Sequence, residues 1–243
     1  MNEIARFKKE VEENIAAQGS NVALKKTAAA FMDASIRSRY SYNFTWLGRP
    51  IIQYPQDIVA IQEIIYQVQP DLIIETGIAH GGSLILHASI CELIGKGEVL
   101  GVDIDIREHN KNEILNHRMS KRISMIQGSS IDPEIVQQVA AKAKGKEKVL
   151  VILDSNHTHD HVLEEMKAYA SLVTKDSYLL VFDTVVEDLA DDIYDNRPWS
   201  VGNNPKTAVF EFMKTNNDFI IDHAVDNKLL LSVAPDGFLK RIK

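Results

Sequence analysis

The sequence predicts an α/β fold built on a mostly parallel, doubly wound sheet, and three observations predict it. From Asp71 to Asp183, short apolar runs alternate with amphipathic helical stretches. The runs are apolar at nearly every position, as in strands covered on both faces. A glycine-bearing turn follows the first run, in "DLIIETGIAHGGS", Asp71 to Ser83. A strand, a glycine turn and a helix N-terminus together make a site where a polar ligand can approach the backbone.

Taken in order, residues 3–18 and 22–37 read as helices separated by Gly19-Ser20-Asn21. The first carries Ile4, Phe7, Val11 and Ile15 at helical spacing. The aromatic stretch Arg39 to Pro55 reads either as a packed connector, with Trp46 and Tyr42 over the core edge, or as one wall of a substrate pocket. Helix Gln56–Val68 starts after Pro55 and stops before Pro70. The first sheet strand is Asp71–Ile74, ended by Glu75, with Gly77 in the turn and Gly81-Gly82 opening helix Ser83–Ile94. Strands Glu98–Asp103, Ile123–Gln127, Lys148–Asp154 and Ser177–Asp183 follow. Helices lie at about Ile106–Met119, Pro133–Lys144, His159–Val173 and Pro205–Thr215. Two apolar runs in the tail, joined at Asp226-Asn227, read as an antiparallel hairpin closing the sheet edge. The long polar loop Glu187–Pro205, tipped by Trp199, is a candidate lid. Residues 1–50 form an N-terminal helical extension and connector, and 51–243 the ligand-binding domain.

Composition narrows the function. The chain has 243 residues and a net charge of −7, with a pI near 5.6, which argues against nucleic-acid or anionic-membrane partners. No apolar run is long enough to span a membrane, and the N-terminus lacks the apolar core of a secretion signal. The single cysteine, Cys91, rules out an internal disulfide and reads as a buried structural thiol in a cytoplasmic protein.

The turn chemistry then selects a cofactor. A dinucleotide turn needs G-x-G-x-x-G, and after Gly77 come Ile78 and Ala79. Glu75 would repel a diphosphate, whereas the E-x-G-x-x-x-G turn suits the sulfonium and ammonium of S-adenosylmethionine. Ligands in open α/β sheets bind beyond the strand carboxyl ends. Asp103 is placed there to accept ribose hydroxyls, and Gly128-Ser129-Ser130 suits an adenine edge. Asp105 is an alternative ribose partner further out, and Asp132 before Pro133 is more simply a helix N-cap.

The densest polar cluster, Asp154 to His161, admits three readings. It can be a structural turn. It can hold a transition metal through His157 and His161 at i, i+4. Alternatively, Asp154 and Asp183 hold a hard divalent cation while His157 acts as a base.

The stretches "WLGRPI", "DLIIETGIAHGGS", "GVDID", "LDSNHTHDHVLEEM" and "SYLLVFDTV" resemble the cephalosporin hydroxylase and rhamnosyl, macrocin-type O-methyltransferase family of S-adenosylmethionine-dependent enzymes, from about Tyr40 to the C-terminus. The resemblance implies a Rossmann-like methyltransferase fold with added N-terminal helices. It implies cofactor contacts at Glu75, Gly77, Gly81, Ser83, Asp103 and Ser130, completed by His80, Ser129 and Asp154. Magnesium is implied at Asp154 and Asp183, with His157 as general base. The expected acceptor is a hydroxyl of a sugar or glycosylated natural product, and the expected assembly a homo-oligomer. One departure stands out. Relatives carry a Glu-Asp-Thr at the end of the fifth strand, and this chain has Phe182-Asp183-Thr184, one carboxylate fewer for magnesium. A hydroxylation or methoxylation component, or a non-catalytic cofactor-binding subunit, are the alternative expectations.

Overall fold

The computed structural model of the protein describes residues 2–194 and 196–243. Two helices, α1 (Glu3–Ser20) and α2 (Val22–Arg37), lead into the short strands β1 (Phe44–Trp46) and β2 (Arg49–Ile51) and helix α3 (Pro55–Val68). The alternating region comprises β3 (Leu72–Thr76), α4 (Gly82–Ile94), β4 (Glu98–Asp103), α5 (Glu108–Asn116), β5 (Ile123–Gln127), α6 (Pro133–Ala143), β6 (Val149–Leu153), α7 (His159–Tyr169) and β7 (Tyr178–Val181). The tail adds α8 (Pro205–Thr215), β8 (Phe219–Ile221), α9 (His223–Leu229) and β9 (Phe238–Arg241).

The main sheet runs β5-β4-β3-β6-β7-β9-β8. Its first five strands are parallel, and β9 lies antiparallel to both β7 and β8. Alternation of side chains splits the core into two layers. Ile73, Val99, Leu150, Ile152 and Leu180 face the layer containing α3 and α4. Leu72, Ile74, Leu100, Val102, Val149, Val151 and Leu153 face the layer containing α6, α7 and α8. Strands apolar at every position are therefore what a doubly covered sheet requires.

Several expected boundaries shift, for stated reasons. The first sheet strand runs to Thr76, past Glu75, because Thr76 still pairs with Val102 and Leu153. The expected helix His159–Val173 leaves α geometry at Tyr169 and finishes as a 3₁₀ turn, Ala170–Leu172. The expected tail hairpin is a pair of antiparallel strands with a different connection. Asp226-Asn227 lie inside α9, whose N-cap Asp222 accepts from the Ala224 N–H. The strand that pairs with β8 is Phe238–Arg241. The run Leu229-Leu230-Leu231 is apolar enough for a strand, but Leu230 takes a left-handed φ of 60° that breaks any ladder.

The aromatic stretch is largely a packed connector. Trp46 donates its indole N–H to Ser89 Oγ on α4 at 2.9 Å, and the Tyr40 and Phe44 rings meet edge to face at 5.1 Å. Tyr42 is instead 53% exposed and covers no core. Cys91 is fully buried, and burial raises its thiol to about 11, so it is an inert core residue. Among the described residues, no helix is long and apolar enough to cross a membrane.

Candidate active site

Register brings Gly77, Asp103 and Asp154 together, since Thr76, Val102 and Leu153 are aligned neighbours on β3, β4 and β6. Gly77 is required twice over. Its φ is +89°, and a Cβ there would overlap the backbone carbonyl of Asp154. Gly81, at φ +81°, similarly leaves room for Ile114. The turn between them is braced from outside. Arg49 donates to the His80 carbonyl at 2.7 Å and to Asn110 Oδ1 at 3.0 Å, and Asn110 donates to the Ala79 carbonyl at 3.0 Å. Sequence reading missed both bracing residues. Arg49 sits in "WLGRPI", but its partner lies 61 positions away, and no local pattern reports such a contact.

Glu75 does not stand at the strand end as expected. It is 1% exposed and faces the α4 layer, where its Oε2 lies 3.4 Å from His87 Nε2. Asp103 Oδ2 accepts from the Ile78 N–H at 2.7 Å and Oδ1 from the Asp105 N–H at 3.0 Å. The carboxylate thus ties the glycine turn to β4 while lining a cavity of about 240 Å³. That cavity also includes Ser129, Ser130, His161 and Trp199. Asp105 donates its N–H to Asp103 while its carboxylate turns to Arg107 Nε at 3.5 Å, and Asp132 is the α6 N-cap, accepting from Glu134 N–H at 2.8 Å. A second cavity, about 40 Å³, lies on the other side of Gly77 and is lined by Gln53, His80, Ser83 and Asp154.

The polar cluster resolves against the two-histidine reading. His157 precedes α7, and His161 turns away to Ser130 Oγ at 3.1 Å and Ser155 Oγ at 3.3 Å. Instead Asp154, His157 and Asp183 converge, each offering one ligand atom within 4.8 Å of the others. His157 Nε2 is 3.2 Å from Asp183 Oδ2. Asp183 occupies a left-handed φ of 55°, a conformation asparagine and aspartate tolerate better than most residues. Burial, then the charges of Asp183, Glu75 and Glu165, hold the Asp154 carboxyl well above its usual range. Such an assembly of carboxylates with so little neutralising charge suits a cation.

Phe182 explains the missing carboxylate. It continues the β7 alternation into the α3 and α4 layer and is 1% exposed, so it belongs to the core. The residues present still fit magnesium, which takes one or two carboxylates plus waters and substrate oxygens.

Trp199 from the long loop meets the His157 ring edge to face at 4.7 Å. The loop carries 3₁₀ turns at Thr184–Asp188 and Asp191–Tyr194. Glu187 accepts from Gly202 N–H at 2.8 Å and from the Asn204 side chain. The His159 N–H donates to Asn203 Oδ1 at 3.0 Å.

Comparison with known proteins bears on this arrangement. The model of the family described as rhamnosyl O-methyltransferase/CmcI matches residues 38–242. A rhamnosyl O-methyltransferase of Mycobacterium bovis is 33% identical over 202 residues, covering 81% of this chain and 78% of that protein. One from Mycobacterium leprae is 31% identical over 200 residues, covering 81% and 82%. Among solved structures, CmcI with Mg and SAM superimposes with a TM-score of 0.59 at 19% identity, covering 83% of this chain and 78% of that one. MycE from the mycinamycin biosynthetic pathway, with Mg, SAH and mycinamycin VI, gives a TM-score of 0.54 at 16% identity, covering 87% and 53%. At these identities the likeness to the solved structures carries the fold.

Proposed function

Because the chain belongs to the rhamnosyl O-methyltransferase/CmcI family and is an S-adenosylmethionine-dependent O-methyltransferase, we propose that it methylates a hydroxyl of a sugar or glycosylated natural product. The observation that carries the site assignment is the convergence of Asp154, His157 and Asp183 beside the glycine turn. In this reading the donor's adenosine end lies against Asp103, Ser129 and Ser130, and its methionine end against Gly77, His80, Gly81 and Ser83. Buried Glu75 supplies negative charge from beneath.

A sugar hydroxyl hardly ionises at neutral pH, so its proton must leave as the new bond forms. His157 is suited to take it, since an imidazole titrates near the working pH. With Nε2–H donated to Asp183, Nδ1 is the nitrogen that accepts, and the Asp183 carboxylate stabilises the imidazolium. The acceptor oxygen's electron pair forms the bond to the methyl carbon. The carbon–sulfur bond breaks, its pair stays on sulfur, and S-adenosylhomocysteine leaves. Holding oxygen, carbon and sulfur in line is the larger part of the work. Asp154 and Asp183 would hold magnesium, which when bound supplies a positive charge for the developing oxyanion. Trp199 over His157 keeps water out and offers a face to the sugar.

Self-association through α1, where Ile4 is 70% and Phe7 64% exposed, belongs to the same proposal. Sedimentation showing only monomer would remove it. The acceptor reading is tested by incubating the chain with methyl-labelled donor and a panel of rhamnosides. Label on a sugar oxygen is expected. Label confined to non-sugar hydroxyls would contradict the acceptor class.

A further inference from the structure

The segment between β2 and α3 contributes a residue whose side chain is half satisfied. Gln53 is 4% exposed, held in place by Ile51 and Tyr54, both buried. The Tyr54 hydroxyl is pinned to Ser35 Oγ at 2.7 Å. The amide Nε2 donates to Asp154 Oδ2 at 3.2 Å. The amide oxygen, Oε1, is buried and has no hydrogen-bond partner among the described residues, an arrangement that buried polar groups rarely tolerate.

Gln53 lines the smaller cavity together with Gly77, His80, Ser83 and Asp154. The larger cavity, on the opposite side of Gly77, carries the hydroxyls and the carboxylate suited to a nucleoside. A ligand laid across Gly77 therefore brings its other end to Gln53. At about 40 Å³ the space admits a compact group. A carbonyl oxygen beside a carboxylate calls for a cation with N–H bonds, which a sulfonium lacks and an ammonium has.

We propose that Gln53 reads the amino-acid end of the methyl donor: Oε1 accepts from its α-ammonium while Nε2 holds Asp154 in position. This rests on the donor assignment made above, and goes beyond it by naming a specificity residue from a segment outside the glycine turn and strand ends.

The test is titration calorimetry of the full chain with S-adenosylhomocysteine, which keeps the ammonium, and with 5′-methylthioadenosine, which lacks the whole amino-acid end. Gln53→Met keeps the bulk and removes the acceptor. It is expected to weaken S-adenosylhomocysteine about tenfold or more, the scale of a hydrogen bond to a charged group, with 5′-methylthioadenosine within about twofold. Gln53→Asn, shorter by one methylene, serves if the Met variant does not fold, and is expected to show the same selective loss. Unchanged S-adenosylhomocysteine binding in a folded variant, or equal weakening of both ligands, would overturn the inference while leaving the donor reading intact. A wild type that binds neither ligand would overturn both.

Discussion

On one side of the crevice the protein presents main chain, and on the other, charged side chains. The turn from Gly77 to Gly82 is shaped by steric limits. Each limit involves a neighbour from a distant element: the Asp154 backbone at Gly77, Ile114 at Gly81 and the Pro50 carbonyl at Gly82. The opposite half, Asp154, His157 and Asp183, is shaped by electrostatics, with the Asp154 carboxyl pushed upward by burial and like charges. Changes to the first half should therefore abolish ligand binding, and changes to the second should spare binding and damage turnover.

The largest effect is expected from Gly77→Ala. Its Cβ meets immovable backbone, so S-adenosylhomocysteine affinity should drop at least ~100-fold, with lowered stability, since strain and overlap add. Calorimetry and melting check this. Gly145, also left-handed at φ +80° but with open space around it, is the control: Gly145→Ala should cost only about 1 kcal/mol by denaturation. Equal damage at both positions would mean that backbone strain, and no close approach, explains the turn.

Next comes His157→Ala, expected to lower turnover by ~10²-fold or more while S-adenosylhomocysteine affinity stays within about twofold. Equal activity would remove the base from the account. Third, magnesium is expected to raise the melting temperature of the wild type, with the increase lost in Asp154→Asn. The variant without magnesium should melt higher than the wild type without magnesium, because a repelling charge is gone. Undiminished activity after thorough chelation would show that Asp154 and Asp183 work without a cation.

A smaller, graded effect comes from Asp57, fully buried and bonded to Ser232 Oγ and the Val233 N–H. Burial, above all, raises its carboxyl from 3.8 to about 7. The native state keeps that proton across the interval where the unfolded chain has released it. This contribution to stability is therefore complete below about pH 4 and lost as pH rises to about 7. Urea unfolding at pH 5 and pH 8 should show the decline, and Asp57→Asn should flatten it. A wild type equally stable at both values would contradict the assignment.

The same contrast explains what could be read from sequence. The parallel sheet was legible because β6 and β7 are apolar throughout and β3 opens on Leu72-Ile73-Ile74, and the glycine turn because its glycines carry local backbone demands. Asp103 and Asp154 were legible as polar residues ending apolar runs. Gln53, Arg49 and Asn110 were not, because each acts through a contact 31 to 101 positions away. The antiparallel pairing of the tail was legible but its connection was not, since Leu229 to Leu231 imitate a strand and Asp226-Asn227 imitate a turn while both lie outside the β8–β9 ladder. Nothing local in Phe182-Asp183-Thr184 shows that Phe182 turns into the core while Asp183 turns to His157.

Titration of the purified chain with S-adenosylhomocysteine tests the division between the halves most directly. One equivalent is expected to bind the wild type and His157→Ala alike, and to be lost in Gly77→Ala. Silence in the wild type, or binding that vanishes with the imidazole and survives the added methyl at Gly77, would contradict it.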